Sequence, residues 1–133
     1  MRVMQTDLIH SGSIRCEKKA DMTAARGQLF PPCVLRAPDG GEFFETLAEG
    51  KNCRVERIVS SGQTTPEGQW YDQERDEWVV LLQGRARLAW EDGTQTDLSA
   101  GEWLTIPAHA RHRVVYTSAE PMCVWLALHF DGK

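Results

Sequence analysis

No apolar run in the 133 residues approaches the ~18 that a membrane-spanning helix needs, and the first residues lack the apolar core of a secretion signal. Neither a helical membrane span nor export is expected, and the cytoplasm is the expected location. Basic stripes are also missing: 15 Lys and Arg stand against 19 Asp and Glu, for a formal net charge of −4. Nucleic acid and anionic membrane surfaces select clustered positive charge, so neither is an expected partner. The four cysteines, Cys16, Cys33, Cys53 and Cys123, form no CxxC or CxxH pair. That spacing argues against a cysteine-built zinc site, and the thiols read as reduced rather than as a disulfide framework. Internal repeats and low-complexity stretches are absent too, which leaves an ordinary globular chain.

What is present fits that class. A hydrophobic content of 41% and a charged content of 26% are those of a domain with its own core. At this length one domain is expected, burying roughly two-thirds of its unfolded surface. Residues 1–28 are polar and aperiodic and read as a loosely structured tail; residues 29–133 read as the domain. Leu29-Phe30-Pro31-Pro32 suits an extended strap. Asp39-Gly-Gly-Glu42 has the spacing of a capping box, and Phe43, Phe44, Leu47 and Ala48 fit one helical face closed by Gly50. A short helix is therefore expected near residues 42–49.

From Cys53 onward the pattern is that of short strands bounded by turn residues. The expected strands are Arg54–Ser60, Trp70–Gln73, Glu77–Gln83, Arg85–Trp90, Thr94–Leu98, Trp103–Ile106, Arg111–Thr117 and Met122–Phe130. Asp92-Gly93 marks a hairpin, because glycine supplies the positive φ of a tight turn. Eight strands with one helix make a β-sandwich or barrel.

Two glycine-anchored segments then stand out. Glu77 is followed after six residues by Gly84, with Gly62 opening the stretch. Gly101-Glu-Trp-Leu-Thr-Ile-Pro107 is followed by His112. Together they resemble the two motifs of the cupin family over about residues 53–130. The resemblance implies an all-β, double-stranded β-helix (jelly-roll) barrel, and so one cupin domain over residues 29–133. In that family two histidines, a glutamate and a third histidine hold one divalent metal inside the barrel. Here the glutamate and third histidine match Glu77 and His112. The first histidine pair is replaced by Tyr71 and Gln73, or, with a four-residue gap, by Trp70 and Asp72. Period-two alternation with Glu77, Val79 and Leu81 favours Tyr71 and Gln73. His109 stands where the family has glycine, and Tyr116 where it has asparagine.

Two readings of the pocket follow. In the first, Gln73, Glu77 and His112 hold zinc, nickel, manganese or iron(II), a small polar molecule binds beside the metal, and Tyr71 acts as a general acid or base. In the second, Glu77 and His112 pair directly in a metal-free site that binds a small molecule without catalysis, which the loss of the histidine pair favours. In both, Trp70, His109, Tyr116 and Trp125 are candidates for the pocket wall. Glu77 could also be an outward edge residue, His112 a satisfied core histidine, and Arg111 and Arg113 a solvated edge or subunit interface. Cys123, Trp125, Ala127 and His129 share one face of the last strand, with His129 expected to fray or be exposed at its end. The resemblance also implies a homodimer through an exposed sheet. A loose tail predicts that limited proteolysis trims the chain within residues 1–20; resistance throughout that stretch contradicts it.

Overall fold

The computed structural model describes residues 24–132, so most of the stretch read as a tail lies outside the described residues. Among them are eight strands and no α-helix, hence no helix long and apolar enough to cross a membrane. The strands are β1 (Phe43–Glu49), β2 (Cys53–Ser60), β3 (Asp76–Gln83), β4 (Arg85–Trp90), β5 (Gln95–Ser99), β6 (Trp103–Ile106), β7 (His112–Thr117) and β8 (Cys123–Phe130). They form a five-stranded sheet in the order β1-β2-β8-β3-β6 and a three-stranded sheet in the order β5-β4-β7. Every pairing is antiparallel.

Alternation puts one set of side chains between the sheets. Val79 and Leu81 of β3, Cys123, Trp125 and Ala127 of β8, and Ala86 and Leu88 of β4 belong to one buried cluster with Ile58, Leu98 and Ile106. On β4 the intervening Arg85 and Arg87 are exposed, and Arg87 pairs across the strands with Asp97. Such one-sided burial fixes the register, since a one-residue slip would put the apolar set in water. In the β4–β5 turn Gly93 has φ +95°, as expected for the hairpin. Asp92 Oδ1 accepts from the Thr94 amide and hydroxyl, both within 2.9 Å, which holds its carboxyl below the usual carboxylate range.

Two expected elements take a different form. Residues 43–49 are not a helix but the edge strand β1, with Phe43 opposite Val59 and Phe44 opposite Ile58. A helix of two turns is marginal by itself. Strand pairing instead satisfies the backbone groups along the outer edge of β2. Asp39 Oδ1 accepts from the Gly41 amide at 2.9 Å in a local turn, and Glu42 accepts a hydrogen bond from the Ser60 hydroxyl rather than reaching back to cap. Residues 70–73 are not a strand but part of a strap that makes one isolated bridge, Tyr71 with His112. The strap runs along the outer edge of β7: Thr65 N donates to Val114 O at 2.9 Å, and Thr117 Oγ1 donates to Gln63 O at 2.6 Å. The Leu29–Pro32 segment, expected as an extended strap, instead bends at Leu29, Phe30 and Pro32, and Arg57 Nη1 donates to the carbonyls of Gln28 and Leu29 at 2.7 and 3.0 Å.

Gly84 joins β3 to β4 at φ +94°, where a Cβ would lie 2.8 Å from Ser118 Oγ and 3.0 Å from the Cys123 Cα. Gly93 shares the positive φ, but no atom would crowd its Cβ within 4 Å. Gly84→Ala is expected to cost roughly 2–4 kcal/mol, backbone strain plus overpacking, against about 1 kcal/mol for Gly93→Ala. Urea unfolding of the two variants checks this; equal losses would contradict the close approach.

Candidate functional site

A cavity of about 40 Å3 lies between the sheets. Its polar side chains arrive from four places. Glu77 opens the inward face of β3 and is 5% exposed. His112 opens β7 and is 4% exposed. Tyr71 and Gln73 come from the strap, and Glu42 from the residue before β1. Phe44, Ile58, Val79 and Trp125 supply much of the apolar wall.

Local hydrogen bonds fix these groups. Tyr71 N donates to His112 O at 2.8 Å and His112 N returns to Tyr71 O at 3.2 Å. The His109 amide donates to Gln73 O at 2.8 Å, and Gln73 Nε2 donates to Glu77 Oε1 at 3.1 Å. The His112 ring packs between Tyr71 and Trp90, with centroids 5.4 and 5.7 Å away. His112 Nδ1 lies 2.8 Å from the Ala110 carbonyl, which can only accept, so Nδ1 carries a proton. In the neutral ring the lone pair is then on Nε2. Trp125 Nε1 donates to Ser60 Oγ at 3.1 Å, and that hydroxyl donates onward to Glu42.

The cavity thus brings together Tyr71, Gln73, Glu77, His112 and Trp125 of the residues singled out from sequence. Tyr71 and Gln73, not Trp70 and Asp72, line it. Trp70, His109 and Tyr116 do not. Trp70 points the opposite way from Tyr71, as neighbours on an extended segment do, and lies beneath the guanidiniums of Arg111 and Arg113 at 6.0 and 5.8 Å. His109 takes φ +65° in an exposed turn, and its Nδ1 meets Asp72 Oδ1 at 2.8 Å. The left-handed φ accounts for the glycine that the family motif has at this position. Tyr116 is 45% exposed. The pairing with β4 shifts between Arg87 and Leu88, so Val115 is an extra residue and Tyr116 falls on the face opposite Val114.

Sequence reasoning missed Glu42 and Phe44, read as helical, and the pair Glu56 and His129. His129 does not fray: it is 3% exposed, and its Nε2 lies 2.9 Å from Glu56 Oε1. β8 is paired on both sides to its last residue, Phe130, with Cys53 and Asp76. The shared parity of Glu56 with Ile58, and of His129 with Trp125, was the available signal.

The family model described as Cupin domain matches residues 57–129, more than half of the chain. The chain belongs to the cupin family. Among solved structures, a protein from Ralstonia eutropha JMP134, provisionally named a mannose-6-phosphate isomerase, is 42% identical with a TM-score of 0.74, over 82% of this chain and 100% of its own. A cupin superfamily protein from Desulfitobacterium hafniense DCB-2 is 18% identical with a TM-score of 0.60, over 81% of this chain and 100% of its own. An RmlC-like cupin from Desulfovibrio desulfuricans is 17% identical with a TM-score of 0.60, over 80% of this chain and 97% of its own. These last two likenesses show the fold alone. No curated protein matches the chain.

The cupin metal does not fit the side chains present. Among the described residues no three His, Cys, Asp or Glu side chains come together as a ligand set. At the positions of the missing histidines stand a phenol and an amide, and that amide turns its N–H, not a ligating atom, toward Glu77.

The buried Glu56–His129 pair carries its own expectation. Glu56→Leu or His129→Leu alone should cost about 3–5 kcal/mol in urea unfolding, because each strands a buried polar partner. The double variant should lose less than the two single losses combined; strict additivity would mean that the pair is not coupled.

Proposed function

We propose that this cupin binds a compact polar organic molecule in the barrel cavity without a metal, gripped by Glu77, His112 and Gln73. The observation that carries the proposal is the convergence of Glu77 and His112, each about nineteen-twentieths buried, on one cavity with aromatic and aliphatic walls. Burying a carboxylate and an imidazole is costly unless their polar atoms are used, and a few convergent polar groups in an apolar cleft are what a small-molecule site requires. A cavity of 40 Å3 has room for about three waters, so a small head group matches it. The Tyr71 ring packs against that of His112 at a tilt of 42° and closes the strap side.

A second reading is aldose–ketose isomerisation, favoured by the name of the Ralstonia protein at 42% identity. Glu77 or His112 would serve as the base for proton transfer. A sugar phosphate, however, brings a dianion, and among the described residues the cavity lining holds two glutamates and no Lys or Arg. The lining therefore supports the binding reading better.

Protein purified from medium supplemented with zinc, nickel, manganese and iron is expected to carry well under one divalent metal per chain by plasma mass spectrometry. One equivalent of metal, lost in both Glu77→Gln and His112→Ala, would establish the metal-dependent reading instead.

A further inference from the structure

We infer that the ligand of this cavity is a small organic cation, held as an alkylammonium head group between a carboxylate and aromatic faces. The inference rests on the reading of the cavity as a ligand site and goes beyond it by naming the chemical class.

Two other carboxylates of the five-stranded sheet have cationic or potentially cationic partners. Glu56, 2% exposed, faces His129 Nε2 at 2.9 Å, an imidazole able to carry the opposite charge. Glu45, on the same sheet, is paired with Arg57. Glu77 is different. Its Oε1 accepts from a neutral amide, Gln73 Nε2, and its Oε2 accepts from no described residue. No Lys, Arg or His forms an ion pair with it among the described residues. A carboxylate 5% exposed with one oxygen unengaged needs a donor, and the cavity it lines is where that donor would come from.

Three further features favour a donor that is positively charged. Glu42 also lines the cavity and brings a second carboxylate to it. The walls include the rings of Phe44, Tyr71 and Trp125, whose negative π faces attract cations at short range. Trp125 is fixed by its hydrogen bond to Ser60, whose hydroxyl donates to Glu42, so the indole and the second carboxylate form one arrangement. An ammonium group supplies several N–H donors, no acceptors and a charge opposite to both glutamates. A carboxylate or phosphate ligand would meet like charge at the same place.

The test is a matched series of probes added to the full-length protein in the presence of EDTA: propylammonium, choline, propionate and 1-propanol. Binding is followed by amide chemical shifts and titration calorimetry. Propylammonium or choline is expected to bind at least tenfold more tightly than propionate or propanol, with shifts centred on Tyr71, Glu77 and His112. Glu77→Gln, which preserves shape, is expected to weaken that binding at least tenfold. Glu42→Gln is a second variant should the first misfold, and the same direction is expected. Tighter binding of propionate or propanol at those residues overturns the cation and leaves the ligand site standing. Ammonium binding unaffected by either glutamate substitution also overturns it. Absence of any shift at cavity residues across the series overturns both the cation and the ligand-site reading.

Discussion

The two hydrogen bonds between the backbones of Tyr71 and His112 are the constraint on which the cavity depends. β7 is the last strand of the three-stranded sheet, and its outer edge would otherwise present unpaired amides and carbonyls. The strap answers that need along residues 63–73 and in the same act delivers Tyr71 and Gln73 to the space between the sheets. Because His112 is the partner in this bridge, the strap and the imidazole are positioned by one contact. Gln73 then reaches Glu77, which joins the strap to the five-stranded sheet across the cavity. Edge protection and site construction are one device.

The barrel interior is divided by polarity. In the middle of the sheets the inward rows are Ile58, Trp125 and Leu81, a conventional apolar core. Toward the other end the inward row across the five-stranded sheet reads Glu49, Arg54, His129, Glu77 and Ile106. This row carries charge from the exposed edge of β1 to the cavity. Glu77 and His129 sit directly opposite one another, yet His129 bonds to Glu56. The pairing leaves Glu77 turned to the cavity and its amide partner, so two buried carboxylates on the strands either side of β8 have different chemical surroundings.

Much of this was legible in the sequence, for a physical reason. The two glycine-anchored motifs singled out Glu77 and His112, and period-two alternation along β8 put Trp125 on one face with Cys123 and Ala127. Parity also favoured Tyr71 and Gln73 over Trp70 and Asp72, although the segment is a strap and not a strand. What was not legible depends on tertiary pairing. The phenylalanines before Leu47 fit a helical face and a strand equally well, and only the outer edge of β2 decides between them. The bulge at Val115 reverses the side taken by Tyr116, and nothing local marks it. His129 looked terminal because its burial comes from β2 and β3, distant in the chain. The second carboxylate of the cavity was hidden for the same reason, since Glu42 reaches it from a segment read as a helix cap.

The strap is a fixed wall of the cavity, anchored where Tyr71 meets His112. Native-state hydrogen exchange at single amides tests it most directly. The Tyr71 and His112 amides should show protection comparable with one another and with the amides of β7, while Glu67 and Gly68 between them and the β2 end of the strap exchange rapidly. A Tyr71 amide that exchanges as fast as that of Gly68 would contradict the account, because the strap would then lack its anchor and the cavity its polar floor.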